Sequence, residues 1–179
     1  GSVILGSWYQ MMHRVQRVSL VMAPMVAGLA VMVVGWWISQ LGGLSTRLTG
    51  NAKVFFNWHP LLMILSFLFM TVARLSFRFS HGPVIVSRTV AKGAHGLCWT
   101  IAAICMILGL MAVFHSHNDP TSGYIANLYS LHSWIGIVVV ILYFGQLVAG
   151  LGAFGMPPAA TAALGLASPL NFCLLQIHT

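Results

Sequence analysis

The sequence predicts an all-α, polytopic transmembrane helix bundle. Three observations carry this. Only 5% of the residues are charged and 59% are hydrophobic, against roughly 25% charged in a soluble globular domain. The mean hydropathy is +0.91. Apolar runs of the about 20 residues that a crossing helix requires recur four times along the chain.

The first run is "SLVMAPMVAGLAVMVVGWWIS", residues 19–39. It follows a polar lead without a small-residue cleavage site, so it reads as a retained helix. The second extends from about Phe55 to Phe77 and contains "HPLLMILSFLFMTVA". The third covers about 91–114, "AKGAHGLCWTIAAICMILGLMAVF", and the fourth about 129–154, "YSLHSWIGIVVVILYFGQLVAGLGAF". A Pro- and Gly-containing connection, "GMPPAATAALGLASP", then leads to "LNFCLLQIHT" at residues 170–179. That segment reads as the start of a fifth helix that breaks off before it spans. The whole chain, 1–179, is expected to be one membrane domain.

Trp36, Trp37, Trp58, Tyr124, Tyr129 and Trp134 fall near the ends of the runs, as an interfacial aromatic belt would. Each alone is equally readable as plain packing. Arg14, Arg17, Arg74, Arg78, Arg88 and Lys92 flank one set of ends, and Arg47 and Lys53 the other. The positive-inside bias therefore puts the amino terminus and the 78–92 connection in the cytoplasm. The net charge of +7 reads as helix-flanking charge and not as a nucleic-acid surface, because no basic stripe with interleaved aromatics occurs. Cys98, Cys105 and Cys173 form no C-x-x-C pair and imply neither a disulfide framework nor covalent haem attachment.

Eight histidines are unusual company for so apolar a chain. His59 opens the second span on the outer side. His95 lies near the inner end of the third. His132, in "SLHSWIG", opens the fourth on the outer side, and His178 lies at the inner start of the fifth. Ionisable side chains within membrane helices are costly and face a bundle interior or cavity. A single one is more often a hydrogen-bonded helix contact or a water-facing residue. Four, paired by depth, suit two haem irons, each taking an imidazole above and below its plane. One shared zinc is disfavoured by the separation of the four along the membrane normal. His115, His117 and Asn118, at the outer end of the third span, read either as a metal or substrate site or as a solvated loop. His13 and His81 read as cytoplasmic surface residues.

The stretches "FNWHPLLM" (56–63), "KGAHG" (92–96), "HN" (117–118) and "IANLYSLHSWIG" (125–136) occur in this order. In order and spacing they resemble the cytochrome b-561 family, the ascorbate-dependent transmembrane di-haem ferric reductases. The resemblance runs from about Phe55 to His178. It implies six transmembrane helices and two non-covalent haem b groups. It implies bis-histidine ligation, His59 with His132 on the outer haem and His95 with His178 on the inner one, and it places Asn127 near the outer haem edge. It implies electron flow from cytoplasmic ascorbate to monodehydroascorbate or a ferric chelate outside. Arg88 and Lys92 then belong to the ascorbate site, and His117, Asn118 and Phe114 to the outer substrate site. It further suggests a homodimer in a plasma, vesicle or endolysosomal membrane.

Two departures stand out. The family's basic residue before the fifth helix is missing from 155–178, where Asn171 takes its place. The fifth helix is only begun and the sixth absent, which makes the inner haem the less secure. Two other readings remain open from the residues alone. One is a di-haem anchor that passes electrons to quinone for a soluble partner. The other is a non-redox membrane protein, such as a transporter, with polar histidine contacts.

Overall fold

The structure is a computed structural model that describes residues 2–47, 51–79, 87–121 and 123–154. It is all-helical: α1 (Ser2–Gln40), α2 (Ala52–Phe56), α3 (Trp58–Phe79), α4 (Arg88–His117) and α5 (Leu131–Phe154). Four stretches are long and apolar enough to cross a bilayer: Arg17–Gln40, Ala52–Ser76, Thr89–His117 and Leu131–Gly152. The four expected spans are therefore present, with shifted ends. The expected fifth start, with Cys173 and His178, lies outside the described residues, as does His81.

The shifts have local causes. The first helix does not begin at residue 19 but at Ser2, because the polar lead continues the same helix. At 39 residues and a rise of 1.5 Å it is about 58 Å long, nearly twice the hydrocarbon core. Pro24 lies inside it, a position that membrane helices tolerate. It ends in a Schellman-type turn. Gly42 is left-handed at φ +92°, and the Gly43 N–H donates to the Ile38 carbonyl at 3.0 Å. The second run starts earlier than Phe55 and is broken in two at Asn57. Pro60 lacks the N–H that would bond the Phe56 carbonyl, and the chain uses the tighter Asn57 N–H to Val54 carbonyl bond instead.

Asn57 is buried and serves the break. Its Nδ2 donates to the Gly43 carbonyl at 2.8 Å and to that of Leu41 at 3.4 Å. Trp58 Nε1 donates to the Ser45 carbonyl at 2.9 Å. The end of α1 is thereby tied to the start of α3.

The firmest packing is between α3 and α4, which run antiparallel on a seven-residue repeat. Ser116 Oγ donates to the Ala52 carbonyl at 3.0 Å, and His59 Nδ1 to that of Gly109 at 3.0 Å. Ser66 Oγ donates to the Ala102 carbonyl at 2.9 Å, and His95 Nδ1 to that of Ala73 at 2.8 Å. The steps are 52, 59, 66, 73 along α2–α3 and 116, 109, 102, 95 along α4. Every acceptor is alanine or glycine, and each of these four is buried. Small residues at the seam let backbones approach closely enough for a side chain to reach the opposite carbonyl. A seam of period 3.5 is that of left-handed helix pairs. The two histidine bonds are reciprocal: α3 donates to α4 at one end and α4 to α3 at the other.

Residues 128–179 form a separate unit, of which α5 is described. Ser130 caps it: the Ser130 Oγ accepts from the Ser133 N–H at 3.2 Å, and the Ser130 carbonyl from the Trp134 N–H at 3.2 Å.

Ser66→Ala removes a rung without adding bulk. It should lower unfolding stability in detergent by about 0.5–1.5 kcal/mol, the range for interhelical hydrogen bonds in membranes. Gly109→Leu should cost more, because it forces the helices apart. Thermal unfolding followed by circular dichroism would decide, and a Gly109→Leu protein as stable as the parent would contradict this packing.

Candidate functional site

His59 and His95 enter the α3–α4 seam from opposite ends. Fourteen residues separate His59 from Ala73 on one helix and His95 from Gly109 on the other, which is about 21 Å of helix. A backbone carbonyl only accepts, so the proton lies on Nδ1 in both rings. A neutral imidazole in that tautomer has its lone pair on Nε2, and the bond fixes the ring's orientation. That is the form in which a histidine serves as an iron ligand with an outer partner on its other nitrogen. The donor chemistry of both residues thus fits a haem iron. No group of three or more His, Cys, Asp or Glu side chains capable of holding a bare metal ion occurs among the described residues.

At the Gly109 end a second polar cluster has formed. His117, the last residue of α4, donates from Nδ1 to Asn127 Oδ1 at 3.1 Å. Asn127 Nδ2 in turn donates to Asn118 Oδ1 at 3.3 Å. The Phe56 ring lies between the two histidines: its centroid is 5.6 Å from that of His59 and 6.3 Å from that of His117, the latter pair within 8° of parallel. Phe114 is exposed one turn back, and its carbonyl accepts the Asn118 N–H at 3.1 Å. The structure therefore brings His117, Asn118, Asn127 and Phe114 together. Asn127, expected beside a haem edge, is bonded to the histidine expected at the substrate site.

His115 belongs to α4 rather than to a solvated loop. Its ring packs on Phe55 at a 4.9 Å centroid distance, and its buried Nδ1 has no hydrogen-bond partner among the described residues. Asp119, the chain's one acid, closes the turn beyond: it is 2% exposed, and Oδ1 accepts from the Thr121 N–H and Oγ1 at 2.9 and 2.8 Å.

At the other end, Ser87 caps α4 by accepting from the Val90 N–H at 3.3 Å. Arg88 and Lys92 occupy its first turns, with no acid among them. A cation and the positive end of the helix dipole together attract anions. Lys92 is exposed. On α5, described by itself, the Ser130 cap fixes His132 in the first turn, where its side chain is exposed.

Sequence reasoning missed the carbonyl partners Gly109 and Ala73, the central rung Ser66–Ala102, and Phe56. The signal was available as the seven-residue recurrence of small residues and histidine in both runs.

An all-helical chain with four spanning-length helices and two seam histidines tied across neighbouring helices has the architecture of a polytopic membrane protein. The family model for eukaryotic cytochrome b561 matches residues 58–173, and the chain belongs to that family, which implies haem b as cofactor. It is 38% identical over 132 residues to the transmembrane ascorbate ferrireductase 1 of Arabidopsis thaliana, covering 74% of this chain and 52% of that protein. It is 33% identical over 158 residues to the plasma membrane ascorbate-dependent reductase CYBRD1 of Mus musculus, covering 85% and 51%. To the transmembrane ascorbate-dependent reductase CYB561 of Sus scrofa it is 37% identical over 131 residues, covering 73% and 48%. The chain spans about half the length of these relatives. It is an integral membrane protein.

Asn127→Leu removes the acceptor that orients His117. The His117 imidazole should then react about fivefold faster with diethyl pyrocarbonate, the factor that a hydrogen bond worth ~1 kcal/mol implies. Mass-spectrometric mapping of the modified histidines would check this, with His95 as the internal reference.

Proposed function

We propose that this chain carries electrons across its membrane from cytoplasmic ascorbate to an acceptor on the other side, a ferric chelate or monodehydroascorbate. The observation that carries the reading is the pair of imidazoles on antiparallel helices, each pinned through Nδ1 to the opposite backbone. The names of the relatives, ascorbate ferrireductase and ascorbate-dependent reductase, support the donor and the acceptor class.

In this reading His59 and His132 hold one haem b, and His95 and His178 the other. Haem iron held by these histidines would supply reversible one-electron exchange. The chain's own residues do the rest. His59 and His95 present Nε2 with its lone pair, because the Gly109 and Ala73 carbonyls hold the proton on Nδ1. Arg88 and Lys92 draw the ascorbate monoanion to the start of α4. The ascorbate monoanion loses one electron and one proton there, the proton to water, and leaves as monodehydroascorbate. His117, held by Asn127 through its Nδ1–H, offers Nε2 to the acceptor as a hydrogen-bond acceptor, and Phe56 forms the wall between it and His59. The excess of basic residues at 14–17 and 74–92 over 47–53 supports a cytoplasmic amino terminus.

His132→Ala should remove one haem and leave the other, read as haem per polypeptide and as a reduced-minus-oxidised spectrum; a protein that keeps two haems would refute the ligand assignment. Lys92→Ala should keep the spectrum and raise the half-saturating ascorbate concentration roughly two- to fivefold, as expected for one exposed ion pair. Stopped-flow reduction by ascorbate measures this, and an unchanged value would take Lys92 out of the donor site.

A further inference from the structure

We propose that the backbone carbonyls of Gly109 and Ala73 act as positioning groups, each setting the orientation and electron-donating power of one histidine independently of the other. We further infer that glycine at 109 is what keeps the His59 contact in place. The inference rests on the reading above that His59 and His95 bind haem iron.

A helical carbonyl carries two lone pairs. One takes the N–H four residues on, and the other is available to a side chain from outside. Gly109 uses that second site for His59; at Ala73 the His95 Nδ1–H at 2.8 Å shares it with the Ser76 hydroxyl at 2.7 Å, so neither histidine bond costs a helix a backbone hydrogen bond. Donation from Nδ1 leaves the imidazole more electron-rich at Nε2. A stronger nitrogen donor stabilises ferric over ferrous iron and lowers the midpoint potential.

The two contacts differ in how they are supported. A Cβ at Gly109 would lie 3.2 Å from Met63 Sδ and 3.3 Å from Leu62 Cβ. The Met63 thioether can swing away. Leu62 Cβ is fixed to its backbone, three residues along α3 from His59. A single methyl group at 109 therefore requires α3 to give by a few tenths of an ångström at the level of the His59 bond. At the other end Ala73 already carries its Cβ within a fully buried seam. Between the two lies the Ser66–Ala102 rung, which holds the register of the far half. Gly109→Ala thus addresses one histidine and spares the other.

The test is a potentiometric titration of haem-loaded Gly109→Ala and Ser66→Ala proteins beside the parent. In Gly109→Ala one haem should move to higher midpoint potential and dissociate to apomyoglobin about 10- to 100-fold faster, the usual effect of losing a histidine's outer partner. The other haem should keep both values. Ser66→Ala, which breaks a rung that touches neither histidine, should move neither potential. No shift in Gly109→Ala, an equal shift of both haems, or a like shift in Ser66→Ala would overturn the proposal. Should Gly109→Ala fail to fold, His59→Gly protein supplied with imidazole or with 1-methylimidazole replaces it. Imidazole, which carries the N–H, should restore the parental potential, and 1-methylimidazole should leave it raised; equal restoration by both would overturn the proposal. His59→Ala separates the two levels of the argument, since retention of both haems would refute the ligand assignment itself.

Discussion

The structure depends on the seven-residue register of α3 against α4. Four side chains reach across the seam, and all four end on the carbonyl of an alanine or glycine. In hydrocarbon no water competes for those groups, and burying them unpaired is expensive. Sliding one helix by a residue would rotate the whole set off the seam and strand two imidazoles and two hydroxyls together. The register is therefore held by an all-or-none penalty larger than the modest worth of any one bond. The same constraint fixes the tautomers of His59 and His95 and their separation along the pair. What the candidate site needs, two rigid imidazoles far apart, is a by-product of how the two helices recognise each other.

Much of this was legible in the sequence, but unevenly. Apolar runs locate spans because composition alone decides them, and all four came out where expected. Their ends did not, because ends depend on single residues. Pro60 breaks the second run at Asn57 through a missing donor, and the residues before 19 continue α1 although they lie outside the apolar run. His59, His95, His117 and Asn118 were singled out because an imidazole or amide in apolar surroundings needs a reason. Gly109, Ala73 and Ala102 were not, because their contribution is a carbonyl that every residue has. Their side chains matter by being small, and smallness is common in membrane helices. Only the shared period in two separate runs would have given them away.

The two ends of α4 are built differently, in keeping with different tasks. At one end a serine cap and basic residues leave an exposed, electropositive start. At the other, the polar groups are knotted together: His117 to Asn127 to Asn118, and Asp119 to Thr121. The chain's one carboxylate is spent closing a turn there, buried rather than displayed. The first end suits a diffusing anion that must be gathered from water. The second suits a preformed surface whose polar groups are already fixed in place.

The reciprocity of the two histidine bonds has a further consequence. Shifting every position by the same 36 residues carries His59 onto His95, Ser66 onto Ala102 and Ala73 onto Gly109. These positions are related by a local two-fold, but the groups on them are not identical: the central rung carries one hydroxyl, Ser66 donating to Ala102, and the end carbonyls belong to a glycine and an alanine. What the spacing does fix is the share of the membrane voltage that the pair spans. Traversing about 21 Å of a core roughly 30 Å thick exposes one charge to about two-thirds of that voltage, or about 1.6 kcal/mol per 100 mV.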